Sequence, residues 1–103
     1  MEGKDPWAGV TNVMAARTVA QALIAERRRQ DEKWGVQNHG PLAWLAILTE
    51  ERDELNREVL AAHFEPPGPD RLAAFARLRT ELIQEAAVAM AWLENMERDE
   101  LRA

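Results

Sequence analysis

The stretch Thr49-Glu50-Glu51-Arg52-Asp53-Glu54-Leu55, with Glu58 one turn further on, concentrates acids in a way that could do chemistry. On an α-helical repeat, positions 50, 51, 54 and 58 share an arc of about 100°. That arc adjoins the apolar positions Trp44, Leu48, Leu55 and Val59, and Glu51 lies closest to them. Acidic runs on helices are ordinarily solvated faces laced with cations three or four residues away. Glu50 and Glu51 have no such cation: their neighbours at that spacing are Ala46, Ile47, Leu48, Asp53, Glu54 and Leu55. Like charges so placed repel by a few tenths of a kcal/mol each, and by more when partly desolvated.

A second set, Glu81-Leu82-Ile83-Gln84-Glu85, follows downstream. Glu81 has Arg77 four residues back, so a surface pair is its ordinary role. Glu85 has no cation at that spacing and lies near Leu78, Trp92 and Met96 on the wheel. A buried, unpaired carboxylate is expensive. A divalent cation between the two helices would satisfy both sets: Mg²⁺ takes hard oxygen ligands in octahedral geometry and keeps waters for a polyphosphate, and Mn²⁺ suits the same ligands. Gln84 is one turn from Glu81 and can reach the same ion. Glu85 is also one turn away but rotated about 100° toward the apolar side, where it could bind a second ion, replace the charge missing at Gln84, or pair with Arg27 or another base across the helices.

These acids must be positioned by helices. Gly35 to Pro41 and Pro66 to Pro69 punctuate long segments of Ala, Leu, Glu and Arg that contain no breakers. The spacing predicts helices over about Thr11 to Lys33, Leu42 to His63 and Asp70 to Arg98, with Asp70 as an N-cap and Pro66-Pro67-Gly68-Pro69 as a stiff return. Nothing reads as a strand. The expectation is an all-α fold of three principal helices in an antiparallel bundle, with residues 1–10 a flexible segment and 11–103 one domain. In the first helix Val13, Ala16, Val19, Ala20, Leu23 and Ile24 form an apolar stripe that Arg27, Gln30 and Trp34 extend inward. Ala86 to Leu93 is uncharged all round the helix. Three helices cannot easily enclose it, so packing by a second copy, as a dimer or tetramer, is expected.

Arg27 and Lys33 are candidates to hold phosphates, Trp34 or Trp44 to stack on a base, and Gln30 to read a base edge or tie down a loop. Trp44 is more naturally core, and His39 and His63 face solvent. The 103 residues contain no Cys, Ser or Tyr, which excludes serine and cysteine hydrolases, thiolate zinc sites and tyrosine nucleophiles. A formal charge of −5 argues against nucleic acid or an anionic membrane as principal ligand. The cluster Arg27-Arg28-Arg29 with Lys33 is offset by Glu26, Gln30, Asp31 and Glu32. The longest stretch free of charged side chains, Trp34 to Thr49, is broken by Gly35, Gly40 and Pro41 and falls short of the roughly 20 apolar residues of a membrane span. A soluble, cytoplasmic protein is expected.

Glu50-Glu51-x-x-Glu54 followed by Glu81-x-x-Gln84 resembles the EExxE and ExxD signature of the all-α nucleoside triphosphate pyrophosphohydrolases, the MazG-like superfamily. Glu26-Arg27-x-Arg29-Gln30-x-x-Lys33-Trp34-Gly35-x-Gln37-x-His39, with Trp44 to Glu51, is similar to the small MazG-like proteins common in phages and bacteria. The resemblance runs from Glu26 to Glu94. It implies a Mg²⁺-dependent enzyme that splits a nucleoside triphosphate into the monophosphate and pyrophosphate, assembled as dimers or dimers of dimers. By position Glu51, Glu54 and Glu81 would be metal ligands, and Glu50 would hold or deprotonate the attacking water. Gln84 departs from the pattern, where Asp stands, and offers the metal an amide oxygen with one negative charge fewer. The alternative is a helical oligomer that binds a nucleotide or a protein without catalysis, its metal site weakened at Gln84.

Overall fold

A computed structural model describes residues 5–100. It contains three helices and, among the described residues, no strand: α1 is Val13–Trp34, α2 is Pro41–Phe64 and α3 is Pro69–Glu100. The first four residues of the segment expected to be flexible lie outside this range. From Asp5 onward that segment forms turns, the Asp5 carboxylate accepting from the Trp7 amide at 2.9 Å, and the Arg17 guanidinium lies 5.7 Å from the Trp7 ring centroid.

Each helix starts and stops for a local reason. Asn12 caps α1, its side-chain oxygen accepting from the Ala15 amide at 3.0 Å. Gly35 ends α1 at φ +73°, a conformation that side chains with a Cβ rarely adopt, and donates to the Asp31 carbonyl at 2.8 Å. Prolines open the other two helices at the first helical position, where the missing N–H has no partner to lose. α3 therefore begins at Pro69, and the Gly68 carbonyl receives the amides of Arg71 and Leu72. Asp70, expected as the cap, instead lies in the first turn, where its charge complements the helix dipole.

The longest helix, α3, is the spine. α2 and α1 both pack on it, while among the described residues α1 and α2 do not pack directly on each other. Polar contacts show the α2–α3 register: Trp44 meets Asn95, Arg52 meets Glu85 and Glu58 meets Arg77, so rising positions in α2 face falling positions in α3. Trp44, Val88 and Ala91 form the buried cluster between them, flanked by Ile47, Leu48 and Trp92. The uncharged run of α3 is divided. Ala87, Val88 and Ala91 are buried within the chain, whereas Leu93 and Met90 remain exposed at 62% and 37%. None of the described helices is long and apolar enough to cross a membrane.

Candidate functional site

α2 and α3 bring Glu51, Glu54 and Glu81 together. Each offers a carboxylate oxygen, and the three oxygens lie within 4.8 Å of one another. One oxygen of Glu51 and one of Glu81 are buried and, among the described residues, have no hydrogen-bond partner. Helix geometry explains the meeting: Glu51 and Glu54 are one turn apart on α2, and the packing register sets Glu81 opposite them.

Among the described residues, no cation of α3 forms an ion pair with this group. Arg77, the in-helix partner expected for Glu81, turns across to Glu58 of α2 instead, Nε to Oε2 at 3.1 Å. Desolvation, followed by the charges of Glu54 and Glu26, raises the Glu51 carboxyl above its ordinary value. Desolvation and the adjoining Glu54 carboxylate do the same for Glu81. Both shifts have the sign expected when burial and like charge penalise ionisation. A divalent cation would reverse that penalty, and the donor set is all oxygen, which suits Mg²⁺ or Mn²⁺.

Of the other site residues read from the sequence, Glu50 is exposed on the wall of the adjoining cleft, and Gln84 is half-buried one turn beyond Glu81. Glu85 stands apart from the cluster. The residue is 7% exposed and its carboxylate accepts from Arg52 Nε at 2.6 Å, an ion pair between α2 and α3 of the kind weighed for it beside metal binding. The partner was not visible as a sequence spacing because it lies on another helix.

Between α1 and α2, with α3 as its floor, runs a cleft of about 380 Å³. Ile47, Val88 and Ala91 supply apolar surface; Glu50 and Glu51 stand on the α2 wall, which links the cleft to the acidic group; Trp34, Gly35, Val36 and Gln37 border it on the α1 side. Trp34 is 52% exposed, and the Arg29 guanidinium lies 5.9 Å from its ring centroid. Lys33 lies 4.6 Å from the Trp34 ring centroid and does not line the cleft.

The inward direction of Arg27 and Gln30 agrees with the helical stripe, both being buried. Their polar atoms, however, are already engaged. Arg27 donates Nε to Glu94 at 2.6 Å, Nη2 to Asp31 and Nη1 to the Gln30 side-chain oxygen Oε1, each of these last two at 3.0 Å. Gln30 donates its amide to Glu26 at 3.2 Å. Glu26 is in turn held by Arg29 through two hydrogen bonds of 2.8 and 2.6 Å, which keep its carboxyl below the ordinary value. The chain Arg29, Glu26, Gln30, Arg27, Glu94 is thus a polar seam joining α1 to α3, and Arg27 and Gln30 border the cleft as well as tying the helices together.

Sequence reasoning missed Glu94, Asn95 and Arg98. Asn95 had a legible signal: positions 88, 91 and 95 share the buried face of α3, and an amide on such a face needs partners. No protein-family model, curated protein or solved structure matches this chain.

Proposed function

We propose that this chain is a Mg²⁺-dependent nucleoside triphosphate pyrophosphohydrolase of the MazG-like kind, cleaving an NTP or dNTP to the monophosphate and pyrophosphate. The observation that carries the reading is the pair of buried, unpartnered oxygens of Glu51 and Glu81, converging with Glu54 beside a cleft. Its volume falls within the roughly 300–1,000 Å³ of small-molecule sites. The acidic order Glu50-Glu51-x-x-Glu54 and Glu81-x-x-Gln84 supports the same reading through its resemblance to that superfamily.

Glu51, Glu54 and Glu81 would hold the metal, with the Gln84 amide oxygen available from the next turn and Mn²⁺ an acceptable substitute. When bound, the ion neutralises phosphate charge and acidifies water. The protein's own residues then have distinct tasks. The exposed Trp34 ring gives a base a stacking surface, and Ile47, Val88 and Ala91 exclude water beneath it. Glu50 accepts a proton from the water that attacks phosphorus; the α–β phosphoanhydride P–O bond breaks and pyrophosphate leaves with the bonding electrons. Lys33, outside the cleft lining, contributes positive charge at its α1 border. Arg27 acts by holding α1 against α3, with its charge spread over Glu94 and Asp31.

The finer architecture belongs to the same proposal. α2 and α3 form an antiparallel pair whose outer face is completed by a second copy, because Phe75, Leu82, Met90 and Leu93 recur along one side of α3 and are exposed. A protein so built works in the cytoplasm, where nucleotides and Mg²⁺ are available.

The test is product analysis. Incubation of the chain with single nucleoside triphosphates and Mg²⁺ is expected to release monophosphate and pyrophosphate in equal amounts, and Glu50→Gln to slow release by about 10²- to 10⁴-fold, the usual contribution of a positioned base. Release of orthophosphate, or no release from any of the four bases in either sugar series, contradicts the proposal.

A further inference from the structure

The residues joining α1 to α2 have no helix of their own, yet Gly35, Val36 and Gln37 form part of the cleft border. What fixes them is the C-terminal part of α3. Asn95 is 4% exposed, and its side-chain oxygen accepts two hydrogen bonds at once: from the His39 amide at 2.7 Å and from the Trp44 indole N–H at 2.8 Å. Its amide nitrogen donates to Asp99 of the next turn. The His39 ring also meets Trp44 edge-on, centroids 4.9 Å apart. Three residues later, Arg98 donates to the Gln37 carbonyl at 2.8 Å and to the Asn38 side-chain oxygen at 3.1 Å.

The chemistry singles out one residue. Two donors from different parts of the chain, one in the core and one in the connecting segment, converge on a single acceptor. The acceptor is oriented by a third hydrogen bond, to Asp99, which also fixes which end of the amide faces inward. Without that acceptor the Trp44 N–H is left buried and unpaired, and the connection loses its attachment to the core. Asn95 itself does not line the cleft; its neighbours Glu94 and Arg98 do.

We infer that Asn95 is a positioning residue for nucleotide binding: it holds the Gly35 to Gly40 connection against α3 and so fixes the cleft border beside Trp34, while the acidic group works independently of it. This rests on the nucleotide reading above. The independence follows from placement. Glu51, Glu54 and Glu81 are held by the helix–helix packing of α2 and α3, and neither the connecting segment nor Asn95 supplies an atom to that group.

The test measures three quantities on the full chain: the Kd for Mg²⁺ alone, the Kd for non-hydrolysable α,β-imido deoxynucleoside triphosphates with Mg²⁺ present, each of the four bases separately, and hydrogen exchange at the His39 amide. Asn95→Leu is expected to speed His39 exchange and to weaken analogue binding, each by about tenfold or more, while Mg²⁺ affinity changes less than about twofold. Asp99→Ala alters an exposed position, so folding is kept, and should move His39 exchange and analogue binding in the same direction by a smaller factor, with Mg²⁺ affinity again unchanged. Asn95→Asp combined with Asp99→Asn exchanges donor and acceptor but preserves all three hydrogen bonds, and should recover wild-type exchange and binding; a residue that only filled space would show no such dependence on its partner. The inference is overturned if the wild-type chain binds an analogue and both Asn95→Leu and Asp99→Ala bind it equally well, or if the exchanged pair fails to recover binding. A wild-type chain that binds no analogue instead overturns the nucleotide reading, a result distinguishable because it appears before any substitution is made.

Discussion

A carboxylate oxygen buried without a donor costs on the order of 1–3 kcal/mol or more, and Glu51 and Glu81 each carry one. Their raised carboxyl values turn that cost into a pH dependence. Above about 4.5, the ordinary glutamate value, the unfolded chain has released protons that the folded chain still holds. Stability without metal therefore falls as pH rises through the window between that value and the raised ones, and is greater below it. Thermal unfolding in a chelating buffer across pH 4 to 7.5 should show this loss, and added Mg²⁺ should recover it at the upper end; a stability that rises through the window instead would show the two groups to be favourably paired. At Gln84, one more negative charge should help the metal: Gln84→Asp is expected to tighten Mg²⁺ binding by about tenfold and to lower stability without metal slightly, by a few tenths of a kcal/mol. Calorimetric titration of the two proteins decides it, and equal affinity would remove position 84 from the site.

At the scale of helices, Glu85 and Arg52 join α2 to α3 beside the acidic group but outside it. Glu85→Gln is expected to cost about 1–2 kcal/mol of stability, discounted because Arg52 is largely exposed, and to leave Mg²⁺ affinity unchanged. Urea unfolding paired with metal titration separates the two effects; loss of Mg²⁺ binding at preserved stability would return Glu85 to the ligands. The same residues show what could be read in advance. The inward direction of Arg27 and Gln30 was legible because a 3.6-residue repeat fixes side-chain direction from spacing alone. Glu51 as the acid nearest the core was legible for the same reason, and it is half-buried where Glu50 and Glu54 are exposed. The partners of Glu85 and Glu58 were not, because Arg52 and Arg77 reach them across a helix pair whose register depends on packing. Of the two roles open to Gln30, the structure shows a tie to Arg27 and Glu26, neighbours whose orientations follow from Glu94 and Arg29 and so were not legible in spacing, while the residue also borders the cleft.

At the scale of the molecule, α3 buries one side against α1 and α2 and leaves Phe75, Leu82, Met90 and Leu93 exposed on the other. Charge should therefore act differently on its two sides. Leu93→Glu is expected to shift a dimer or tetramer toward monomer in analytical ultracentrifugation while the helix content stays. Ala87→Glu, at a position 0% exposed within the chain, should unfold it at several kcal/mol of cost. A wild-type protein that sediments as a monomer at micromolar concentration contradicts the completion of the outer face by a second copy.

Whether Glu51, Glu54 and Glu81 are held together against their own repulsion for a divalent cation is decided by thermal unfolding of the wild type, Glu51→Gln and Glu54→Gln, each with chelator and with Mg²⁺. The expected result is that both substitutions leave the metal-free protein as stable as the wild type or more so, since each removes a repelling charge, and that the stabilisation by Mg²⁺ seen in the wild type disappears in both. The contradicting result is a wild type indifferent to Mg²⁺ with both substitutions destabilising, which would make these glutamates partners in the fold and leave the cleft without its metal.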